Sequence, residues 1–183
     1  MSTAAKTATS VGSTRATQAD WAKPSLLNDM SIQDILPATG IKVIAAASSK
    51  KRLFHDIGDM AEACFGLDHS MVVDALVDRE GLGPTGVGQG VALPHARLPM
   101  LRQVCGLFVR VKKPLDFDSV DRQPVDLAFA LFAPEDAGVD HLKALALVSR
   151  TLRDENVRAK LRANEDPSTI YTILTEATSA QAA

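Results

Sequence analysis

Residues 79–99 read Arg79-Glu80-Gly81-Leu82-Gly83-Pro84-Thr85-Gly86-Val87-Gly88-Gln89-Gly90-Val91-Ala92-Leu93-Pro94-His95-Ala96-Arg97-Leu98-Pro99. Nearly half of the chain's 11 glycines fall here, at positions 81, 83, 86, 88 and 90. Glycine accepts positive φ and lets backbone approach backbone or ligand closely, so the chain bends tightly in this stretch. Val91-Ala92-Leu93 is too short for a helix and reads as a buried strand. Pro94 has no N–H to give a ladder and is expected to end that strand. His95 then falls where strand gives way to loop, a common place for functional side chains.

The elements around this stretch follow from caps and spacing. Ser31-Ile32-Gln33-Asp34 has a capping pattern, and Pro37 closes a short helix. Ile41 to Ala45 reads as strand. Ser48 or Ser49 caps a helix from Lys50 to Phe65, with Leu53, Ile57, Met60, Ala61 and Cys64 on one face and Gly66 as its left-handed stop. Asp68 caps a helix from His69 to Arg79, with Val72, Ala75 and Leu76 facing inward. His55 is expected at or near the surface, and His69 exposed. Downstream, Gly106–Val111 and Val125–Phe132 read as strands. Pro114-Leu115-Asp116-Phe117-Asp118 reads as a short extended piece and turn. Asp140 caps a helix from His141 to Arg153, with a stripe of Leu142, Leu145, Val148 and Leu152. Asp154 starts a helix to Arg162, and Asp166 with Pro167 starts one that runs through Thr175. Strand and helix signals alternate only partly. That fits an α/β fold with a mixed central β-sheet flanked by helices better than a regular doubly wound one.

A chain of 183 residues suggests one domain plus tails. The core must be mostly aliphatic, because aromatics are only 4% of the residues. A formal net charge of −2 gives no footing for nucleic acid. No apolar run approaches a membrane span, and no signal-peptide core is present, so a cytoplasmic protein is expected. Cys64 and Cys105 fit no metal spacing and are expected to be reduced thiols. The expected organisation is a disordered tail over 1–25, a domain over 26–177 and a frayed end over 178–183.

Three readings of the glycines compete. A nucleotide P-loop needs a Lys-Ser/Thr pair that this stretch lacks. A dinucleotide fingerprint needs strand, glycines, then helix, whereas here the order is helix, glycines, strand. The third reading makes Thr85, Gly86, Gly88 and Gly90 the wall of a shallow site around His95, where successive N–H groups hold an anion. His141, in the first turn of its helix, is held neutral by the helix dipole, or else is merely solvent-exposed. A neutral imidazole keeps a lone pair on one nitrogen and is a nucleophile when the other nitrogen is held protonated. Two histidines and an arginine, Arg97 by position, would form a phosphoryl-handling set. Val87, Val91 and Leu98 are read as an apolar docking surface beside His95. No metal-ligand spacing links the four histidines, and no serine elbow occurs, so neither a metal nor any other cofactor is expected.

The stretch Arg79-Glu80-x-Leu82-Gly83-x-Thr85-Gly86-Val87-Gly88-x-Gly90-Val91-Ala92-Leu93-Pro94-His95 resembles the active-site segment of enzyme IIA domains. These belong to the phosphoenolpyruvate-dependent phosphotransferase system, fructose/mannitol class, and the nitrogen-regulatory branch is the closest likeness. Ser49-Lys50-Lys51, Pro114-Leu115-Asp116-Phe117-Asp118, Asp121-x-Gln123-Pro124-Val125-Asp126-Leu127, Leu131-x-x-Pro134-Glu135 and His141-Leu142-Lys143-x-Leu145 agree in order, from about Leu26 to Thr175. The resemblance implies a mixed sheet with helices on both faces. It implies phosphorylation of His95 on Nε2, His141 as the second active-site histidine, and Arg79 as the arginine that steadies the phosphohistidine. It also implies a histidine-containing phosphocarrier protein as donor, and targets such as potassium transporters or sensor kinases. Pro84, Gly81 and Ala96 depart from the commonest pattern, and none of them removes a catalytic group. Three functions are therefore distinguished. They are a phosphocarrier with regulatory output, a sugar-specific enzyme IIA that passes phosphate to a IIB component, and a binding module that transfers nothing.

Overall fold

The apolar run from Val125 to Ala133 is a strand, β6, in the computed structural model of the chain, which describes residues 30–182. From Leu127 onward every residue of it is buried, the pattern of a strand covered on both faces. It lies at the middle of a six-stranded sheet. In chain order the other strands are β1 (Ile41–Ala46), β2 (Gly86–Gly88), β3 (Val91–Ala92), β4 (His95–Arg97) and β5 (Cys105–Leu115). The order across the sheet is β1-β5-β6-β3-β2, and β4 also pairs with β6. The β5–β6 and β2–β3 pairs are antiparallel, whereas β1–β5, β3–β6 and β4–β6 are parallel.

The helices are α1 (Ile32–Ile35), α2 (Lys50–Phe65), α3 (His69–Gly81), α4 (Gly138–Arg153), α5 (Glu155–Ala163) and α6 (Pro167–Ala182). They divide between the two faces. Leu107, Val109, Ala128, Ala130 and Phe132 pack with α2 and α3. Phe108, Leu127, Phe129 and Leu131 pack with α1, α4, α5 and α6. The alternation along β5 and β6 is the period of two expected of a pleated strand. The sheet is thus mixed and flanked by helices on both faces, as expected.

Caps follow the residues that predict them. Ser49 accepts the N–H of Arg52, and Asp68 accepts that of Met71. Gly66 closes α2 with φ +66. Several boundaries differ from the expectation. α4 begins at Gly138, and Ala137 stands at its cap without a side-chain bond, so Asp140 lies inside the first turn. Its inward face is His141, Ala144, Leu147, Val148, Thr151 and Leu152, while Leu142 is 64% exposed. The predicted stripe was rotated because it passed over the small and polar members of the buried face. His69 is half-buried rather than exposed, because Gly58 leaves its ring room against α2. α6 continues past Thr175 to Ala182. The tail expected over 1–25 lies outside the described residues. Among the described residues no helix is long and apolar enough to cross a membrane.

β3 stops at Ala92, ahead of Pro94, but the chain does not leave the sheet there. β3 pairs with Leu127 and Ala128, and β4 resumes on the same edge of β6, with His95 opposite Leu131. At the seam the Leu93 N–H donates to the Thr85 carbonyl, and Leu131 N–H donates to the Pro94 carbonyl. The proline therefore interrupts one strand without releasing it, and His95 opens a strand instead of standing in a loop.

Across β6, Leu131 also pairs with Gly106 of β5. A Cβ on Gly106 would lie 2.6 Å from the buried Phe129 ring and 3.2 Å from the Ala130 carbonyl. Gly106→Val is expected to destabilise the fold by about 1–3 kcal/mol through overpacking. Denaturant unfolding measures the effect as a lowered midpoint with an unchanged slope.

Candidate active site

His95 meets helices from both layers. Arg79, in the last turn of α3, donates from Nε to His95 Nε2 at 3.1 Å. His141, in the first turn of α4, lies with its ring centroid 5.5 Å from that of His95. The three residues line one cleft of about 540 Å³ together with Asp78, Leu82 and Arg97.

Hydrogen-bonding chemistry fixes the His95 tautomer. Nδ1 lies 2.8 Å from the Leu93 carbonyl, which can only accept, so Nδ1 carries the proton. Arginine can only donate, so Nε2 presents its lone pair to Arg79. The half-buried ring is held below the usual histidine pKa chiefly by burial. The Leu93 bond and the Glu80 charge oppose that shift, and the Arg79 charge adds to it. His141 is only 5% exposed and its Nδ1 has no hydrogen-bond partner. Burial first, then the nearby His95 and Arg97, lower its pKa as well. Both imidazoles are thus biased toward the neutral form, and His141 is buried where solvent exposure had been the competing reading.

The glycine stretch takes another place. Gly88-Gln89-Gly90 is the β2–β3 turn, with all three residues at positive φ. Asp121 accepts the Gln89 N–H, while Arg162 donates to the Gln89 carbonyl and pairs with Asp126 at 2.7 and 2.8 Å. A Cβ on Gly90 would lie 2.7 Å from Asp126, and one on Gly86 would lie 3.0 Å from the Cα of Ser119. Gly86, Gly88 and Gly90 therefore admit neighbouring protein and do not wall the His95 cleft. Thr85 spends both its N–H and its hydroxyl on Glu80. Thr85, Gly86, Gly88 and Gly90, expected to wall the site around His95, therefore do not line its cleft.

The docking reading is corrected too. Val91 is 2% exposed and Leu98 is 1% exposed, so both belong to the core. Val87 is exposed but lines a separate small pocket with Ser149 and Arg153. The exposed apolar side chains closest in sequence to Arg79 and His141 are instead Leu82 at 85%, Val139 at 63% and Leu142 at 64% exposure. Leu82 lines the cleft, and the other two flank His141 within the first turns of α4. A signal for Leu142 was present in the sequence: on a helix it cannot share a face with the adjacent His141. Among the described residues no group of three or more His, Cys, Asp or Glu side chains is placed to hold a metal ion.

Comparison with known proteins agrees with this architecture. The sequence profile described as "Phosphoenolpyruvate-dependent sugar phosphotransferase system, EIIA 2" matches residues 34–177. A nitrogen regulatory protein of Bradyrhizobium diazoefficiens is 46% identical over 145 residues, covering 79% of this chain and 95% of the relative. One of Klebsiella oxytoca is 39% identical over 154 residues, covering 82% and 94%. The crystal structure of the nitrogen regulatory protein IIA-Ntr from Neisseria meningitidis superposes with a TM-score of 0.74 at 38% identity, over 79% of this chain and 99% of that one. The chain belongs to the EIIA 2 family of the phosphotransferase system.

The lowered His95 pKa carries a sign that NMR can check. Below the ordinary value of about 6.5, the ring is expected to remain neutral where a free histidine is already protonated. A pH titration of the His95 ring nitrogens should show Nδ1–H as the dominant tautomer and a midpoint under that value.

Proposed function

We propose that this EIIA 2 domain accepts a phosphoryl group on Nε2 of His95 from a histidine-containing phosphocarrier protein of the nitrogen branch, and controls partner proteins by its loaded state. The observation that carries this reading is the His95 geometry: Nδ1–H held by a backbone carbonyl, and an Nε2 lone pair facing Arg79 beside a second histidine. In the transfer, the Nε2 lone pair forms a new N–P bond as the donor's N–P bond breaks, and the electron pair of that bond returns to the donor's ring nitrogen. Nε2 carries no proton, so none has to leave. The positive charge that develops on the His95 ring is met at Nδ1–H by the Leu93 carbonyl.

Arg79 occupies the nucleophile's lone pair in the unloaded protein, so its N–H must swing onto a phosphoryl oxygen as the bond forms. A charge-assisted bond of this kind is stronger than the one it replaces. His141 and Arg97 complete the anion's surroundings in the same cleft. Phosphoryl transfer has a loose, charge-rich transition state, for which positioning and donors supply most of the catalysis.

The donor docks on the rim of the cleft, where Leu82 is exposed, with Val139 and Leu142 at the start of α4 as further exposed apolar side chains. Loading adds about −1.5 to −2 charges at the centre of that rim. A partner that covers the rim thereby distinguishes the two states. The names of similar relatives, nitrogen regulatory proteins, support a regulatory output; potassium transporters or sensor kinases are the class of target that this reading assigns to it. Passage to a IIB transport component is the competing output.

Incubation with phosphoenolpyruvate, enzyme I and the phosphocarrier should give one acid-labile phosphate per chain. His95→Ala should take none, and label on another histidine in that variant would refute the assignment. His141→Ala should still accept but exchange slowly. Arg79→Ala should shorten the phosphohistidine lifetime roughly tenfold, as for loss of one charged hydrogen bond. Leu82→Asp should raise the KM for the phosphocarrier with kcat little changed, as steady-state labelling would measure.

A further inference from the structure

The turn that joins α3 to β2 is almost without packing. A Cβ added at Gly81 or Gly83 would meet nothing within 4 Å, and Leu82 between them is 85% exposed. Yet this turn delivers a carbonyl on which the site depends. Arg79 Nη1 donates to the Gly83 carbonyl at 3.1 Å while its Nε donates to His95. Two bonds from one planar guanidinium fix its orientation, provided that Gly83 itself stays in place.

Hydrogen bonds hold the turn where packing does not. The Glu80 carboxylate accepts the Thr85 N–H at 3.2 Å and the Thr85 hydroxyl at 2.5 Å. The Glu80 backbone carbonyl accepts the Gly83 N–H at 3.1 Å. The Glu80 side chain is only 9% exposed and its charge is paired with Lys50 Nζ at 3.1 Å. Lys50 is itself shared with Asp118 at 2.7 Å and lies over the Phe117 ring. Thr85 is anchored in turn, 4% exposed, with its carbonyl taken by the Leu93 N–H. Glu80 thus ties the far end of the loop, at Thr85, back to the last turn of α3. A buried ion pair of this kind adds little to stability compared with apolar side chains. What it supplies is a defined geometry.

The geometry points to Glu80 as a positioning residue, whose carboxylate locks the turn over residues 81–85 and thereby holds Arg79 on Nε2 of His95. Its consequence for transfer rests on the reading of His95 as the phosphoryl acceptor, whereas the positioning itself does not.

The test is a double-mutant cycle read on the unloaded protein. The ¹⁵N resonance of His95 Nε2 reports the hydrogen bond that it accepts. Arg79→Ala should move that resonance toward the value of free neutral imidazole. Glu80→Gln, with melting monitored to confirm folding, should move it at least half as far in the same direction. In the Arg79→Ala background Glu80→Gln should add no further movement. Phosphoryl acceptance by Glu80→Gln should fall roughly tenfold or more, as for a misplaced catalytic group. A wild-type resonance in Glu80→Gln would overturn the proposal, as would an equal displacement in both backgrounds. If Glu80→Gln does not fold, Thr85→Val removes only the hydroxyl's bond to the carboxylate and must show the same direction of shift in the same cycle. If the resonance follows Glu80 while the wild type accepts no phosphate, the acceptor reading falls and the positioning stands.

Discussion

The Leu93 carbonyl decides which nitrogen of His95 is free. Neutral imidazole has one protonated and one bare nitrogen, and in water the two arrangements interchange. Here a backbone acceptor 2.8 Å from Nδ1 selects one of them. The carbonyl is available because the chain is interrupted at this point. The Leu93 N–H turns to Thr85, and the ladder with β6 resumes through the Pro94 carbonyl. The break in the strand and the chemistry of the ring are therefore one feature. Arg79 and burial then act on a nitrogen whose role is already set.

The site occupies a place that the layering of the fold creates. β4 pairs with β6 on one side, and among the described residues no other strand pairs with it. α3 belongs to one layer and α4 to the other. The end of α3 and the start of α4 converge at this open edge, so the arginine and the second histidine reach the same imidazole from opposite faces of the sheet. Rigid elements supply all three side chains. The one loosely packed segment, the turn after α3, is tied down through Glu80 and Thr85.

Much of this was legible in the residues. Ser49, Asp68 and Gly66 announce their helix ends through local chemistry that tertiary contacts do not override. β5 and β6 declare themselves by β-branched and aromatic runs. The placement of Arg79 at a helix end just before the glycines was also readable. What could not be read was which of two neighbouring surfaces a short element would face. Val91, Leu98 and Leu142 illustrate this: each is apolar and close in sequence to a histidine, but pleat and helical turn send the first two inward and the third outward. The glycines misled for a related reason. A missing Cβ signals close approach but not the identity of what approaches, and here the close neighbours are Ser119, Asp121, Asp126 and Arg162.

The interrupted edge of β6 also bears on how such a chain can vary in length. Side chains on a strand alternate between faces, so the two residues between Ala92 and His95 keep count for everything after them. Deleting one of them, or inserting another, would rotate the imidazole into the packed interior and bring Ala96 to the surface. It would also part the ring from the carbonyl that selects its tautomer. Amino-acid replacement at these two positions is a milder change than any shift in their number.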